Sequence, residues 1–114
     1  MKIEIRPVKL DLTDTCRAYA EYRMFSAISR FDGNGVHLDV LLEDRGADEE
    51  ERYRCIAGVD LPAGRVWVTA AADQIYAVID RAAEQLTKSV ESYRSHGAEA
   101  PGRSYRAAQS EQRP

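Results

Sequence analysis

Arg52-Tyr53-Arg54-Cys55-Ile56-Ala57-Gly58-Val59, then Asp60-Leu61-Pro62-Ala63-Gly64, then Arg65-Val66-Trp67-Val68-Thr69-Ala70 is the stretch that decides the fold. In its first part Tyr53, Cys55, Ala57 and Val59 share one face. In its last part Val66 and Val68 stand opposite Trp67 and Thr69. A period of two is that of a β-strand, because successive side chains point to opposite faces. The middle part supplies Asp, Pro and Gly, the residues of a turn. Two alternating runs joined by a short turn predict a β-hairpin.

Reading upstream, Val36, Leu38, Val40 and Leu42 alternate with His37, Asp39 and Leu41, which predicts another strand. An acidic segment separates it from the hairpin. Glu43, Asp44, Asp48, Glu49, Glu50 and Glu51 face a single base, Arg45, so residues 43–51 carry −5. The formal net charge of the 114-residue chain is −3, which leaves +2 for the remainder. With Gly46 inside it, this segment reads as an exposed loop. Further upstream Ile3 and Ile5 face one way and Lys2, Glu4 and Arg6 the other, a strand expected over Ile3 to Leu10. Pro7 cannot donate to a ladder, so a break or a sheet edge is expected there.

Two helices complete the pattern. Cys16, Ala20, Met24, Ala27, Ile28 and Phe31 recur at spacings of three and four and form one apolar stripe. Thr13 or Asp11 can cap this helix, Asp14 adds negative charge near its N-terminus, and Asp32-Gly33-Asn34-Gly35 stops it. After the hairpin, Ile75, Ile79, Ala82, Leu86, Val90 and Tyr93 form a second stripe, with Asp73 placed as the cap and the end expected near His96-Gly97. The order β-α-β-β-β-α predicts an α+β fold. Both stripes are narrow and one-sided, so both helices are expected on one face of a four-stranded sheet. Residues 1–96 then form one domain. Residues 97–114, rich in Gly, Pro, Ser, Gln and Arg without periodicity, are expected to be a disordered tail.

Composition narrows the function. No run approaches the roughly 20 apolar residues of a membrane span, and the alternating N-terminus lacks the apolar run of a signal peptide. A cytoplasmic protein is expected, with Cys16 and Cys55 reduced and buried. No Gly-rich run leads into Lys-Ser or Lys-Thr as a phosphate loop would. Neither His37 nor His96 has a second metal ligand at helical or loop spacing. His37 is expected to face solvent from its strand and His96 to sit at a helix C-terminus. The acidic segment lacks the alternating Asp/Asn ligands and closing Glu of a calcium loop. Neither a catalytic constellation nor a cofactor or metal is therefore expected.

The basic residues are more informative. Seven residues is nearly two helical turns, so positions i and i+7 point the same way within about 20°. Arg23 and Arg30 form such a pair on the first helix, and Arg81 and Lys88 on the second, all off the apolar stripes. If the helices lie side by side, four cations line one outer surface, a spacing suited to phosphates along an RNA backbone. On pattern alone, solvated helix faces are the simpler reading. Tyr19 and Tyr22 lie near the first pair and suit either base stacking or helix packing.

A resemblance adds to this. Asp73-Gln74-Ile75-Tyr76-Ala77-Val78-Ile79-Asp80 resembles the start of the last helix in the ribosome hibernation-promoting factors and their ribosome-associated inhibitor relatives. That family carries an acidic residue, an apolar residue, then Tyr, Ala, Ala, Ile and Asp there, and only Val78 departs from the run. Leu12-Thr13-Asp14-Thr15-Cys16-Arg17 is similar to the family's entry into the first helix, with Cys16 in place of Leu. Arg52-Tyr53-Arg54-Cys55-Ile56 and Ser29-Arg30-Phe31 resemble a short proteobacterial branch. The resemblance covers about residues 1–95. It implies a fold related to double-stranded-RNA-binding domains, and binding on the small ribosomal subunit in the channel used by mRNA and tRNA. It also implies translation inhibition by steric occlusion, which preserves idle ribosomes under stress. By position it assigns RNA contacts to Arg23 and Lys88. Arg30 and Arg81 join them from the seven-residue geometry. Arg17 matches a family Arg but projects away from that face.

Departures accompany the matches. Ser26 and Gln85 stand where the family has lysines, and Glu91 and Ser92 occupy a region where it has more. Each lost phosphate contact implies weaker and less salt-dependent binding. Long members add a C-terminal dimerisation domain that residues 97–114 are too short to supply, so ribosome pairing by that route is not expected. The competing reading is a non-ribosomal α/β protein-interaction or regulatory module, including a homodimer paired through an edge strand. The negative net charge and the missing lysines favour it.

Overall fold

The computed structural model describes residues 2–29, 36–61 and 64–96, with side chains as far as 92 at the C-terminal end. Arg30, Phe31, the expected helix stop at 32–35, the tip of the hairpin turn at 62–63, the Tyr93 and His96 side chains and the expected tail at 97–114 lie outside the described residues.

The elements follow the expected order: β1 (Lys2–Val8), α1 (Asp14–Ile28), β2 (His37–Asp44), β3 (Tyr53–Leu61), β4 (Gly64–Ala72) and α2 (Ile75–His96). They form one mixed four-stranded sheet in the order β1-β2-β3-β4. β1 runs parallel to β2, with Ile3 opposite Leu38 and Ile5 opposite Val40. A parallel neighbour requires a long crossover, and α1 supplies it. β2–β3 and β3–β4 are antiparallel. Pro7 lies on the edge strand, paired opposite Leu42, and the strand runs through it without a break. The chain leaves β1 at Lys9, whose φ is +55°.

Alternation gives the sheet two unlike faces. Ile5, Leu38, Val40, Leu42, Cys55, Ala57, Val59, Val66, Val68, Ala70 and Ala72 are buried on one of them. Both helices cover that face. α1 contributes Cys16, Ala20, Met24, Ala27 and Ile28, and α2 contributes Val78, Ile79, Ala82, Ala83, Leu86 and Val90. No polar or charged side chain is buried in this core among the described residues. The opposite sheet face has no helix over it. No helix among the described residues is long and apolar enough to cross a membrane.

The helix starts differ in their capping. Thr13 is the N-cap of α1, its Oγ1 accepting from the Cys16 N–H at 3.1 Å. In α2 the Val78 N–H donates to the Gln74 carbonyl at 3.0 Å, so Gln74 occupies the position expected of Asp73. α1 ends at Ile28, one turn before the expected Phe31. The loop from β2 to β3 turns at Gly46, where φ is +108°, a conformation that suits a residue without Cβ. Its Gly46 N–H donates to Asp44 Oδ1, and Arg52 forks onto both oxygens of Asp44 at 2.7 and 2.8 Å. Arg52 and the Gly46 amide together hold the Asp44 carboxyl below its ordinary range.

Candidate RNA-binding face

α1 and α2 lie side by side, and a polar cluster joins them on the side away from the sheet. Tyr19 Oη donates to Asp80 Oδ1 at 2.5 Å, and Arg23 Nε donates to the same oxygen at 2.9 Å. The Tyr19 ring meets the Tyr76 ring edge-on, with centroids 5.1 Å apart. Accepting from the phenol, the Asp80 carboxylate stabilises its protonated form and raises the Tyr19 pKa. Tyr19 is thus a packing residue. Tyr22, at 66% exposure, is free of that role. Phe25 and Tyr76 are the other large apolar side chains exposed among the described residues.

The basic residues divide into three kinds. Arg23 is held by Asp80 through Nε and also lies against the Tyr19 hydroxyl, with its side chain partly exposed. Arg81 donates through Nη1 to the Ala71 carbonyl at 2.5 Å and approaches Glu51 of the acidic loop at 3.3 Å. Both members of that ion pair are more than half exposed, so the pair is worth about 0–1 kcal/mol and yields easily to a phosphate. Lys88 is exposed and pairs with no described residue. Arg17 lies on the other side of α1, where its Nη1 donates to the Ile5 carbonyl of β1 at 3.3 Å.

The structure places Arg23 at the seam of the two helices and the exposed Lys88 on α2, whereas Arg81 reaches the Ala71 carbonyl of edge strand β4 much as Arg17 reaches the Ile5 carbonyl of edge strand β1. It also adds what the helical spacing missed. Asp80 and Glu51 partly offset two of the three cations, and Glu84 is exposed on the same helix as Arg81 and Lys88. The acidic loop reaches α2 through Glu51.

Residues 3–96 match the family model described as sigma 54 modulation protein / S30EA ribosomal protein. The chain belongs to this family. Among solved structures, it is similar to the Thermus thermophilus Protein Y N-terminal domain, with 30% identity and a TM-score of 0.65 over 81% of this chain and 94% of that one. It is also similar to a ribosomal subunit interface protein from Coxiella burnetii, with 16% identity and a TM-score of 0.70 over 83% of this chain and 99% of that one. At that identity the second likeness speaks for the fold alone. No curated protein sequence matches significantly. The S30EA match spans both helices, so Arg23, Arg81 and Lys88 all lie within it.

The two cysteines of this family member are buried in its core. Burial raises the pKa of both thiols, that of Cys55 to about 12. Neither presents a thiolate at neutral pH.

Proposed function

We propose that this S30EA family member binds the small ribosomal subunit in the channel used by mRNA and tRNA, with the outer layer of α1 and α2 against ribosomal RNA. Occupying that channel excludes both ligands, so the protein inhibits translation and preserves idle ribosomes under stress. It works in the cytoplasm, without catalysis and without a cofactor. The observation that carries this reading is the side-by-side placement of the two helices, with Arg23 at their seam and Arg81 and the exposed Lys88 on α2. Cations on a rigid surface contact phosphates irrespective of base sequence. Arg30 is included on its sequence spacing from Arg23 alone, and Arg17 contributes at most from the flank. Membership of a family described as an S30EA ribosomal protein supports a ribosomal partner.

A second reading has its own observation. Ile3, Ala18, Glu21, Tyr22 and Phe25 line an open groove of about 480 Å³ beside the edge strand β1, a place suited to a protein partner. Competition separates the two readings. The protein is mixed with vacant small subunits, and with subunits filled with mRNA and tRNA, and sedimented at low salt. Co-sedimentation with the vacant subunits and exclusion from the filled ones support the channel. Equal binding to both contradicts occlusion, and no binding to either favours the protein-partner reading.

A further inference from the structure

The sheet face that carries no helix holds a group of ligating side chains. Alternation places Glu4 of β1 and His37 and Asp39 of β2 on this face, and the parallel register sets Glu4 directly opposite Asp39. Nε2 of His37 lies 2.9 Å from Glu4 Oε1 and 3.4 Å from Asp39 Oδ1. One ligand atom from each residue falls within 4.8 Å of the others. His37 does not simply face solvent from its strand, as expected, but is drawn between two carboxylates.

We propose that Glu4, His37 and Asp39 form a binding site for a divalent transition cation of the Zn²⁺ type. A carboxylate pair with one imidazole is a ligand set for zinc, bound at about 2.0–2.2 Å. Ligand atoms at that distance on a tetrahedral ion lie about 3.4 Å from one another. The His37–Asp39 separation already has this value, and the Glu4–His37 hydrogen bond needs to open by only about half an ångström to reach it. Three protein ligands leave the fourth position to water.

A second observation comes from Asp39 itself. Arg65 Nη2 donates to Asp39 Oδ2 at 2.8 Å and Arg65 Nη1 lies 3.2 Å from Asp60, so the carboxylate is held in one orientation. Its other oxygen, Oδ1, is shielded from solvent and accepts no hydrogen bond. A shielded carboxylate oxygen with no hydrogen bond, met only by His37 at 3.4 Å and Arg6 at 3.8 Å, is suited to a closer cation or donor. This oxygen is also the one nearest His37. Arg65 thus acts as the outer-shell partner that orients a ligating carboxylate.

Arg6 bears on the same point. Its Nη2 stands 3.9 Å from Glu4 Oε1 and 3.8 Å from Asp39 Oδ1, in front of the two proposed ligand atoms but beyond hydrogen-bond reach. Its side chain is 66% exposed and swings away at little cost. The bound ion takes over the role that this distant guanidinium fills poorly, and it ties the edge strand β1 to β2.

The test is calorimetric titration of the full chain, freed of metal with a chelator, with zinc chloride. Saturable binding of one ion per chain is expected, together with a chelator-reversible rise in melting temperature. Glu4→Gln and His37→Gln should each weaken binding at least tenfold. Changing Glu49 and Glu50 of the acidic loop to Gln should leave it unaltered. Melting curves without metal verify that each variant is folded. Absence of saturable binding in the parent chain overturns the proposal, as does undiminished binding in both Glu4→Gln and His37→Gln.

Discussion

Gly58 offers a test in which the sign of a stability change decides. It lies in β3 directly opposite Trp67 of β4 on the open sheet face. A Cβ at this position would stand 2.5, 2.6 and 2.9 Å from Cζ3, Cε3 and Cη2 of Trp67. Ordinary carbon contacts fall at about 3.5–4.0 Å, so in Gly58→Ala the indole must shift by roughly 1 Å. The Arg65 guanidinium also lies over that ring, its Cζ 4.3 Å from the ring centroid. Forcing an extra methyl into such a contact costs about 1–3 kcal/mol, and the lower end applies because the indole tilts toward an open face. Against this, Ala is preferred to Gly in a strand interior by about 0.5–1 kcal/mol. The net expectation is a loss of a few tenths to about 1 kcal/mol, or a few degrees in melting temperature for a domain of this size. In a Trp67→Ala background the obstruction is gone, and the same substitution should stabilise by about 0.5–1 kcal/mol. Urea denaturation of the four proteins, followed by circular dichroism, gives the coupling directly. The same sign for Gly58→Ala in both backgrounds would refute the packing account.

Other expectations follow from the polar contacts. In Asp80→Asn the Tyr19 phenol loses the carboxylate that raises its pKa, so its ionisation, followed by ultraviolet absorbance, should move back toward 10; an unchanged midpoint would contradict the hydrogen bond. Asp44 is held below its ordinary value of 3.8, so the stability it contributes is present above that pH and is lost as pH falls through the lower folded value. Its midpoint, followed by nuclear magnetic resonance, should rise in Arg52→Gln, and no rise would remove Arg52 as the cause. The buried thiols of Cys16 and Cys55 should resist alkylation at neutral pH in the native protein and react fully in denaturant; rapid labelling of Cys55 in the native state would contradict its place in the core.

Much of this architecture is legible locally, because burial follows alternation. Leu38, Val40 and Leu42 announce one strand and Cys55, Ala57 and Val59 another, and each is buried as its period requires. Thr13 stands as the cap of α1 for the reason its side chain suggests. The second apolar stripe was drawn too narrow. Val78 and Ala83 are also buried, because α2 packs against both the sheet and α1 and needs a wider face than a single row. What local pattern does not carry is pairing between distant segments. Arg23 and Asp80 are 57 positions apart, and Glu4 and His37 are 33 apart. Helical spacing showed where the cations stand but not that Asp80 and Glu51 lean on two of them. Glu4, His37 and Asp39 are not legible as a group for the same reason, since β1 and β2 become neighbours only through the crossover.

The proposed docking of the paired helices on ribosomal RNA runs through phosphate contacts. Its most direct test is the salt dependence of binding to vacant small subunits, compared between the parent chain and Lys88→Ala. Lys88 is exposed and pairs with no described residue, so its removal should leave the fold intact. Binding should weaken steeply with salt, and the slope of log affinity against log salt should fall by about 1 in the variant. An identical slope and affinity in Lys88→Ala, or binding indifferent to salt in the parent chain, would contradict it.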